Sequence, residues 1–365
     1  MRGSVSSHHT KTMYDIGIIG AGPAGTTLAR LLADQYRVLL LDSGRQKCCG
    51  GILNHKAQTA LAKCGLALPK QVLADPQPYT VTILDWDNHL VRSYARQYIN
   101  IDRDAFDRWL LSLVPQTADI RSHAIYQRSE ADGDGLTLHF RENDVPKTAD
   151  VRWLVGADGA FSTVRREFFP KAPMPKRYIA VQHWFDREEV FVTEKFGIDF
   201  WSNYVGIFDS ALTEYYQWMI PKERHLILGG AFTLGTNVAA VMQSTREKLE
   251  SLGLQLGTPC KREAAQILRP LRQSSLCFGD ARTMLVGEAA GLVSLSSAEG
   301  ISHALISAYY LAETFLKSDF DPSLYRRLLK EQWWSLWTKK FKVPLMFNPF
   351  LRKYIMRSGL TALRR

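Results

Sequence analysis

Residues 15–25 read Asp-Ile-Gly-Ile-Ile-Gly20-Ala-Gly22-Pro23-Ala24-Gly25. A short apolar run ends at Gly20, and helical periodicity follows through Thr26, Leu28, Ala29, Leu31 and Leu32. A second apolar run at 36–41 is closed by Asp42, with Ser43 beside it. The pattern predicts a β-α-β unit with a parallel strand pair at its centre. Gly20 permits the tight strand-to-helix turn, Gly22 lets backbone approach a pyrophosphate, and Gly25 lets the helix sit close to the sheet. Pro23 and Ala24 complete the entry into the helix, whose N-terminus offers unpaired N–H groups and a positive dipole end to phosphates. Asp42 is placed to accept hydrogen bonds from ribose hydroxyls. The segment predicts a dinucleotide site and does not by itself separate NAD from FAD.

Outward from this unit, composition narrows the class. The chain has 365 residues, 46% hydrophobic and 22% charged, which excludes a disordered chain. No run of about 18 apolar residues predicts a membrane-spanning helix. Five cysteines, Cys48, Cys49, Cys64, Cys260 and Cys277, are an odd and sparse set that fits a reduced, cytoplasmic protein. Net charge is +10, and residues 323–365 hold 11 Lys and Arg against one acid, Glu331. The rest carries 35 basic and 35 acidic residues, so its body calls for no nucleic-acid partner. Residues 1–12 are polar and non-periodic and read as a leader or disordered extension, with Met13 as the natural start.

Along the chain, helices are expected at 54–63, 104–113, 238–252 and 299–316. Strands are expected at 79–84 and 89–95 as a hairpin, at 119–127, 136–140 and 149–155, then at 178–185, 214–220, 225–232 and 283–286. Strands and helices alternate at both ends around a β-rich middle. This α/β (mixed α+β) arrangement suggests a nucleotide-binding domain assembled from 13–75, 100–167 and 270–320. A sheet domain for substrate would comprise 76–99 and 168–269, and 321–365 a basic, aromatic helical tail.

Two further motifs follow expected strands: Gly156-Ala-Asp158-Gly159 with Ser162, and Gly287-Glu288-Ala-Ala-Gly291. An extended FAD needs such polar groups beyond the pyrophosphate, whereas a nicotinamide does not. Here the sequence resembles the FAD-dependent superfamily of para-hydroxybenzoate hydroxylase and geranylgeranyl reductase. The resemblance implies a Rossmann-type FAD-binding domain with an inserted antiparallel sheet. Asp158-Gly159 resembles the family's Asp-Gly element. Gly287-Glu288 stands where the family has Gly-Asp, so Glu288 is expected to reach a ribityl hydroxyl with one methylene more. Arg103 resembles an arginine at a helix start that approaches the FAD linker. Gly300 and Ile301, after Glu299, resemble the helix start that faces the flavin's pyrimidine edge, although Ser296-Ser297-Ala298 replaces the family's usual Pro and Thr.

Two elements resemble the geranylgeranyl reductase branch. Lys47-Cys48-Cys49-Gly50-Gly51 matches its Lys-Pro-Cys-Gly-Gly segment with Cys48 in place of Pro, and implies that Cys49 faces flavin and substrate. Tyr216-x-Trp218-x-Ile220-Pro221-Lys222 matches its Tyr-x-Trp-x-Phe-Pro signature, and strand alternation puts Tyr216, Trp218 and Ile220 on one face as an aromatic wall. Cys49, Trp218 and Tyr216 are therefore the candidate catalytic residues. Residues 98–109 and 352–359 resemble an enterobacterial member of this branch.

No His-x-x-x-His or Cys-x-x-Cys occurs, so no metal site is expected, and His183 and His303 read as core histidines. No Gly-x-Ser-x-Gly elbow supports hydrolase chemistry. Trp333, Trp337 and Phe341 recur every four residues among Arg326, Arg327, Lys330, Lys339, Lys340 and Lys342, with Pro344 and Pro349 read as helix breaks. That pattern suits either core closure or peripheral contact with an anionic membrane.

The resemblance implies hydride delivery from reduced FAD to a carbon–carbon double bond of a hydrophobic, prenyl-lipid substrate. A monooxygenase that hydroxylates or epoxidises shares every cofactor motif, and a non-turnover flavin sensor is a third reading. One dinucleotide fingerprint serves FAD, so NAD(P)H or another reductant would dock transiently. Neither substrate nor oligomeric state is legible.

Overall fold

The computed structural model describes residues 13–280, 282–317, 321–338, 340 and 342–359, without the side chains of 331–333, 335, 337, 338 and 342. The opening strand Tyr14–Ile19 pairs in parallel with Val38–Leu41 on one side and with the end of Val145–Gly156 on the other. Asp119–Arg121 extends the sheet beyond Val38–Leu41, and Thr283–Leu285 extends it beyond Val145–Gly156. The strand Val145–Gly156 changes partners along its length. Its first half pairs antiparallel with Gly135–Glu142, which pairs with Ala124–Asp132. The central parallel strands are apolar on both faces because both are covered, and Ile16, Ile18, Leu40, Leu154 and Leu285 are fully buried, whereas the edge strand Asp119–Arg121 is half-exposed and largely polar. The helices Pro23–Leu32 and Ile301–Lys317 share this core through Leu28, Leu32, Ala308 and Phe315.

The second sheet takes its strands from two distant parts of the chain. Its order is Lys261–Arg269, Lys176–Asp186, His225–Thr233, Gln217–Lys222, Tyr204–Phe208, Thr80–Asp85 and Leu90–Ala95. All neighbours are antiparallel except Tyr204–Phe208 with Thr80–Asp85. The helix Val238–Ser251 covers one face, where Phe185, Met219, Leu228, Met242 and Leu249 pack. Tyr178, Tyr216, Trp218, Ile220 and Ile227 pack on the other, so the expected alternation holds. The strand begins at Gln217 rather than at 214, which leaves Tyr216 just outside it.

The tail forms helices Pro322–Thr338, Lys342–Phe347 and Pro349–Ser358. The expected break at Pro349 is present, since Lys342–Phe347 ends just before it. Pro349 also opens the next helix, with Asn348 as cap, because the first helical position needs no N–H and favours the proline φ. Pro344, by contrast, lies within the first turn of Lys342–Phe347 and does not break it. Phe347 lies flat on Tyr215, with ring centroids 5.1 Å apart. Arg352 is buried and grips Asp85 through two bonds of 2.8 Å and Asp87 at 2.6 Å. Phe350 and Tyr354 face solvent, as does Trp334. The expected face of Trp333, Trp337 and Phe341 lies outside the described side chains. Among the described residues no helix is long and apolar enough to cross a membrane.

Candidate active site

Gly20 has φ +103°, and a Cβ there would meet the Ala157 carbonyl oxygen at 2.6 Å. A Cβ on Gly25 would lie 1.8 Å from the Gly20 oxygen, so helix and strand touch as the motif requires. Gly22 is different: a Cβ there would meet no atom within 4 Å. The helix behind it has no side-chain cap and no acid in its first turn, with Pro23 and Ala24 buried. Its N-terminal dipole therefore points into open space beside Gly22, the arrangement an anionic pyrophosphate requires. Asp42 directly follows the next strand and steadies its own turn by accepting the Gly44 N–H at 3.1 Å, with Ser43 between them.

The two distant motifs converge on this helix. Asp158 Oδ2 accepts the Thr163 and Val164 N–H groups at 2.6 and 3.2 Å, while its Oδ1 is buried without a hydrogen-bond partner in the protein. Burial pushes this carboxyl above the usual range. Gly287 adopts φ +57° and lies against Ala24 and Ala304. Gly291, at φ +83°, ends the short turn that follows. Glu288, expected to reach a ribityl hydroxyl, has both oxygens engaged by protein: one with Lys47, the other with the Leu268 N–H at 3.2 Å. The added methylene carries the carboxylate across to the Cys48–Cys49 loop. Arg165 was not singled out in the sequence. It is fully buried and donates to Ala289, Pro173 and Ser275 carbonyls at 2.8–3.0 Å, which ties the Asp158 and Gly287 segments together.

Gly300 leaves the start of the last core helix open, since a Cβ would meet nothing nearer than 3.9 Å. Glu299 caps that helix by accepting the Ser302 N–H at 2.6 Å, and Ile301 anchors it in a neighbouring core. The preceding Ala298 has φ +52°, a strained conformation for a residue with a Cβ. It is held in place by its N–H on the Ser294 carbonyl at 3.2 Å and by the Tyr216 hydroxyl, which donates to Ser297 O at 3.0 Å. The aromatic wall thus grips the loop before this helix.

Cys48 to Gly51 run across the same wall. A Cβ on Gly50 would lie 2.4 Å from Ile220, and Gly51 turns at φ +64° against the Ile101 carbonyl. Gln182 bridges the two elements, accepting Trp218 Nε1–H at 3.2 Å and donating to Cys48 Sγ at 3.2 Å. Burial pushes the Cys48 thiol up to about 12. Cys49 instead faces two cations. Arg103 lies within hydrogen-bond reach of its sulfur and pairs with Asp107 at 2.9 Å, and Lys222 is close enough to interact with it electrostatically. The buried Lys222 ammonium spends its three protons on Gly50 O, Asn100 Oδ1 and Ile101 O at 2.7–2.8 Å. Burial pulls it down to about 8.

The structure therefore brings Cys49, Gly50, Gly51, Arg103, Tyr216 and Trp218 into one region, next to Glu288 through Lys47 and next to Gly300 and Ile301 through the Ser297 contact. Gly20 to Gly25, Asp158 and Gly287 meet at the start of the first helix, with Asp42 one strand away. Lys222 stood in the quoted signature, but its burial had no local sign, and Gln182 resembled any polar strand residue. His303 is buried, as expected for a core histidine, whereas His183 is only half-buried and its Nδ1 has no hydrogen-bond partner in the protein. The open space at Gly22, the unpartnered Asp158 oxygen and the uncapped helix start fit an extended dinucleotide.

The model of the FAD binding domain family matches residues 13–186. Protein CbrA of Escherichia coli O6:H1 is 38% identical over 355 residues, covering 95% of this chain and 94% of that one, and Protein CbrA of Shigella flexneri serotype 5b matches to the same extent. In fold, the chain is similar to a geranylgeranyl bacteriochlorophyll reductase-like protein of Thermoplasma acidophilum (TM-score 0.71, 19% identity, 97% of this chain and 89% of that one). It is also similar to a probable FAD-dependent monooxygenase of Pseudomonas aeruginosa (TM-score 0.68, 16% identity, 95% and 100%). The domain match makes FAD the cofactor, and the full-length identity assigns the chain to the CbrA family of FAD-dependent oxidoreductases.

Proposed function

We propose that this chain reduces a carbon–carbon double bond in a hydrophobic, prenyl-type substrate. The observation that carries the reading is the wall of Tyr216, Trp218 and Ile220 with the Cys48–Gly51 loop laid across it. Such a surface would bind an isoprenoid chain by burial, with the two loop thiols, Cys48 and Cys49, beside it.

FAD, when bound, supplies the hydride chemistry. The protein's part is holding and aiming. Gly22 and the first helix N-terminus would hold the pyrophosphate, Asp42 the ribose, and the N–H groups after Gly300 the flavin's pyrimidine edge. Glu288 and Lys222 fix the two sides of the thiol loop, so the alkene meets one held surface made of wall and loop together. Reduction also needs a proton, and Cys49, beside Arg103 and Lys222, is assigned to deliver it. Lys222 acts as a positioning residue, since all three of its protons are committed to loop and strand oxygens.

The test is anaerobic turnover. Protein reduced chemically with dithionite is mixed with polyprenyl lipids, and the products are weighed by mass spectrometry. A gain of two hydrogens supports the reading. No change anaerobically, with a gain of one oxygen after air is admitted, replaces it with the monooxygenase.

A further inference from the structure

A second cluster of reactive side chains lies outside the residues assigned above, where three neighbouring strands end together. The last residue of Lys176–Asp186 pairs across the sheet with the first residue of His225–Thr233, so Asp186 and His225 stand side by side. His225 Nε2 is 3.2 Å from Asp186 Oδ1. On the other flank, Cys260 donates its N–H to the Trp184 carbonyl at 2.9 Å just before Lys261–Arg269 begins. A carboxylate oxygen, an imidazole nitrogen and the thiol sulfur lie within 4.8 Å of one another. We propose that Asp186, His225 and Cys260 form a binding site for a divalent transition-metal ion of the zinc type.

The geometry is close to chelating. Tetrahedral zinc at ordinary bond lengths sets its donor atoms roughly 3.3–3.8 Å apart. The imidazole and carboxylate already sit at that spacing. The sulfur must close by at most about 1 Å, exchanging its 3.3 Å contact with the Trp184 carbonyl for the ion, which rotation of an exposed side chain ahead of its strand supplies. Sulfur, nitrogen and oxygen together select zinc, cobalt or copper over calcium and magnesium, which take oxygen alone. All three ligands reach solvent, so water fills the fourth position.

The surroundings support these ligands. The Trp184 indole meets the His225 ring edge-on at 5.7 Å and limits its rotation. Two cations stand nearby. Arg224 reaches Asp186 at 3.6 Å but is 80% exposed, so it leaves at little cost. Lys261 is taken by Glu263 at 2.6 Å. The sequence could not show this site because each ligand comes from a different strand, with no local spacing to read. An ion here would pin three strand ends of the substrate-side sheet.

The experiment uses the full chain, reduced and stripped with a chelator, then titrated with cobalt(II) and with zinc in competition with a chromogenic chelator. The expected result is one equivalent of cobalt giving a thiolate charge-transfer band and tetrahedral d–d bands in the difference spectrum. Cys260→Ser should abolish the charge-transfer band, and Cys260→Ser and His225→Ala should each weaken zinc binding at least about tenfold. Cys49→Ser should keep the band, which excludes the other thiol face. No band in the unaltered protein, or a band that survives Cys260→Ser, overturns the proposal. Flavin content is recorded on the same samples, so failure of the metal site and failure of the FAD site read out separately.

Discussion

Lys222 gives the most quantitative test of the site's construction. Its ordinary value of 10.5 falls to about 8 in the folded protein because burial opposes its charge. At about 1.36 kcal/mol per unit, carrying that charge costs the fold about 3 kcal/mol near neutral pH. The unfolded chain binds the proton more tightly, so this cost is full below about pH 8 and is relieved as pH rises toward 10.5. Between about pH 7 and about pH 9.5 the recovery is roughly 2 kcal/mol. Lys222→Met removes the titration. Urea unfolding of both proteins at the two pH values should give a pH gain about 2 kcal/mol larger in the parent than in the variant. Tyr204, Tyr215 and Tyr216, all raised by burial, oppose the gain at high pH, but equally in both proteins. The variant should not be more stable at neutral pH, since Gly50 O, Asn100 Oδ1 and Ile101 O lose their donor at about 1–3 kcal/mol each. A variant whose stability rises with pH as steeply as the parent's would refute the reasoning.

Gly22→Ala meets no protein atom, so Tm should hold while FAD affinity drops at least about tenfold by fluorescence titration. Gly25→Ala puts a Cβ 1.8 Å from Gly20 O and should lower Tm and FAD content together. Arg352→Met strands Asp85, which is 0% exposed, and should cost about 3–5 kcal/mol in chemical unfolding, with faster proteolytic trimming of the tail. Cys49→Ala should slow turnover while the protein stays yellow; full activity would remove this thiol from the chemistry.

What the sequence made legible was local. The β-α-β unit, Asp42 and the glycine turns each lie within a few residues of one another, and their geometry follows from glycine freedom and helix periodicity. The wall was legible because strand alternation is strict, and Tyr216, Trp218 and Ile220 do share a face. What stayed hidden depends on partners far along the chain. Arg352 meets Asp85 across 267 positions, and the tail's cations gave no sign that one would be buried. Arg165 is buried by carbonyl partners of which two lie 110 and 124 positions away, so nothing local marks it. Pro349 marked a real break, whereas Pro344 sits in the first turn of Lys342–Phe347, where a missing N–H costs no helical bond. Glu288 was legible as a departure, but its engagement with Lys47 was not.

The central claim is that wall, thiol loop and FAD together saturate an alkene rather than insert oxygen. The most direct measurement supplies reduced protein with a polyprenyl substrate under heavy-isotope dioxygen and weighs the product. The account predicts a product heavier by two hydrogens that carries no oxygen label. A product carrying one labelled oxygen atom would contradict it.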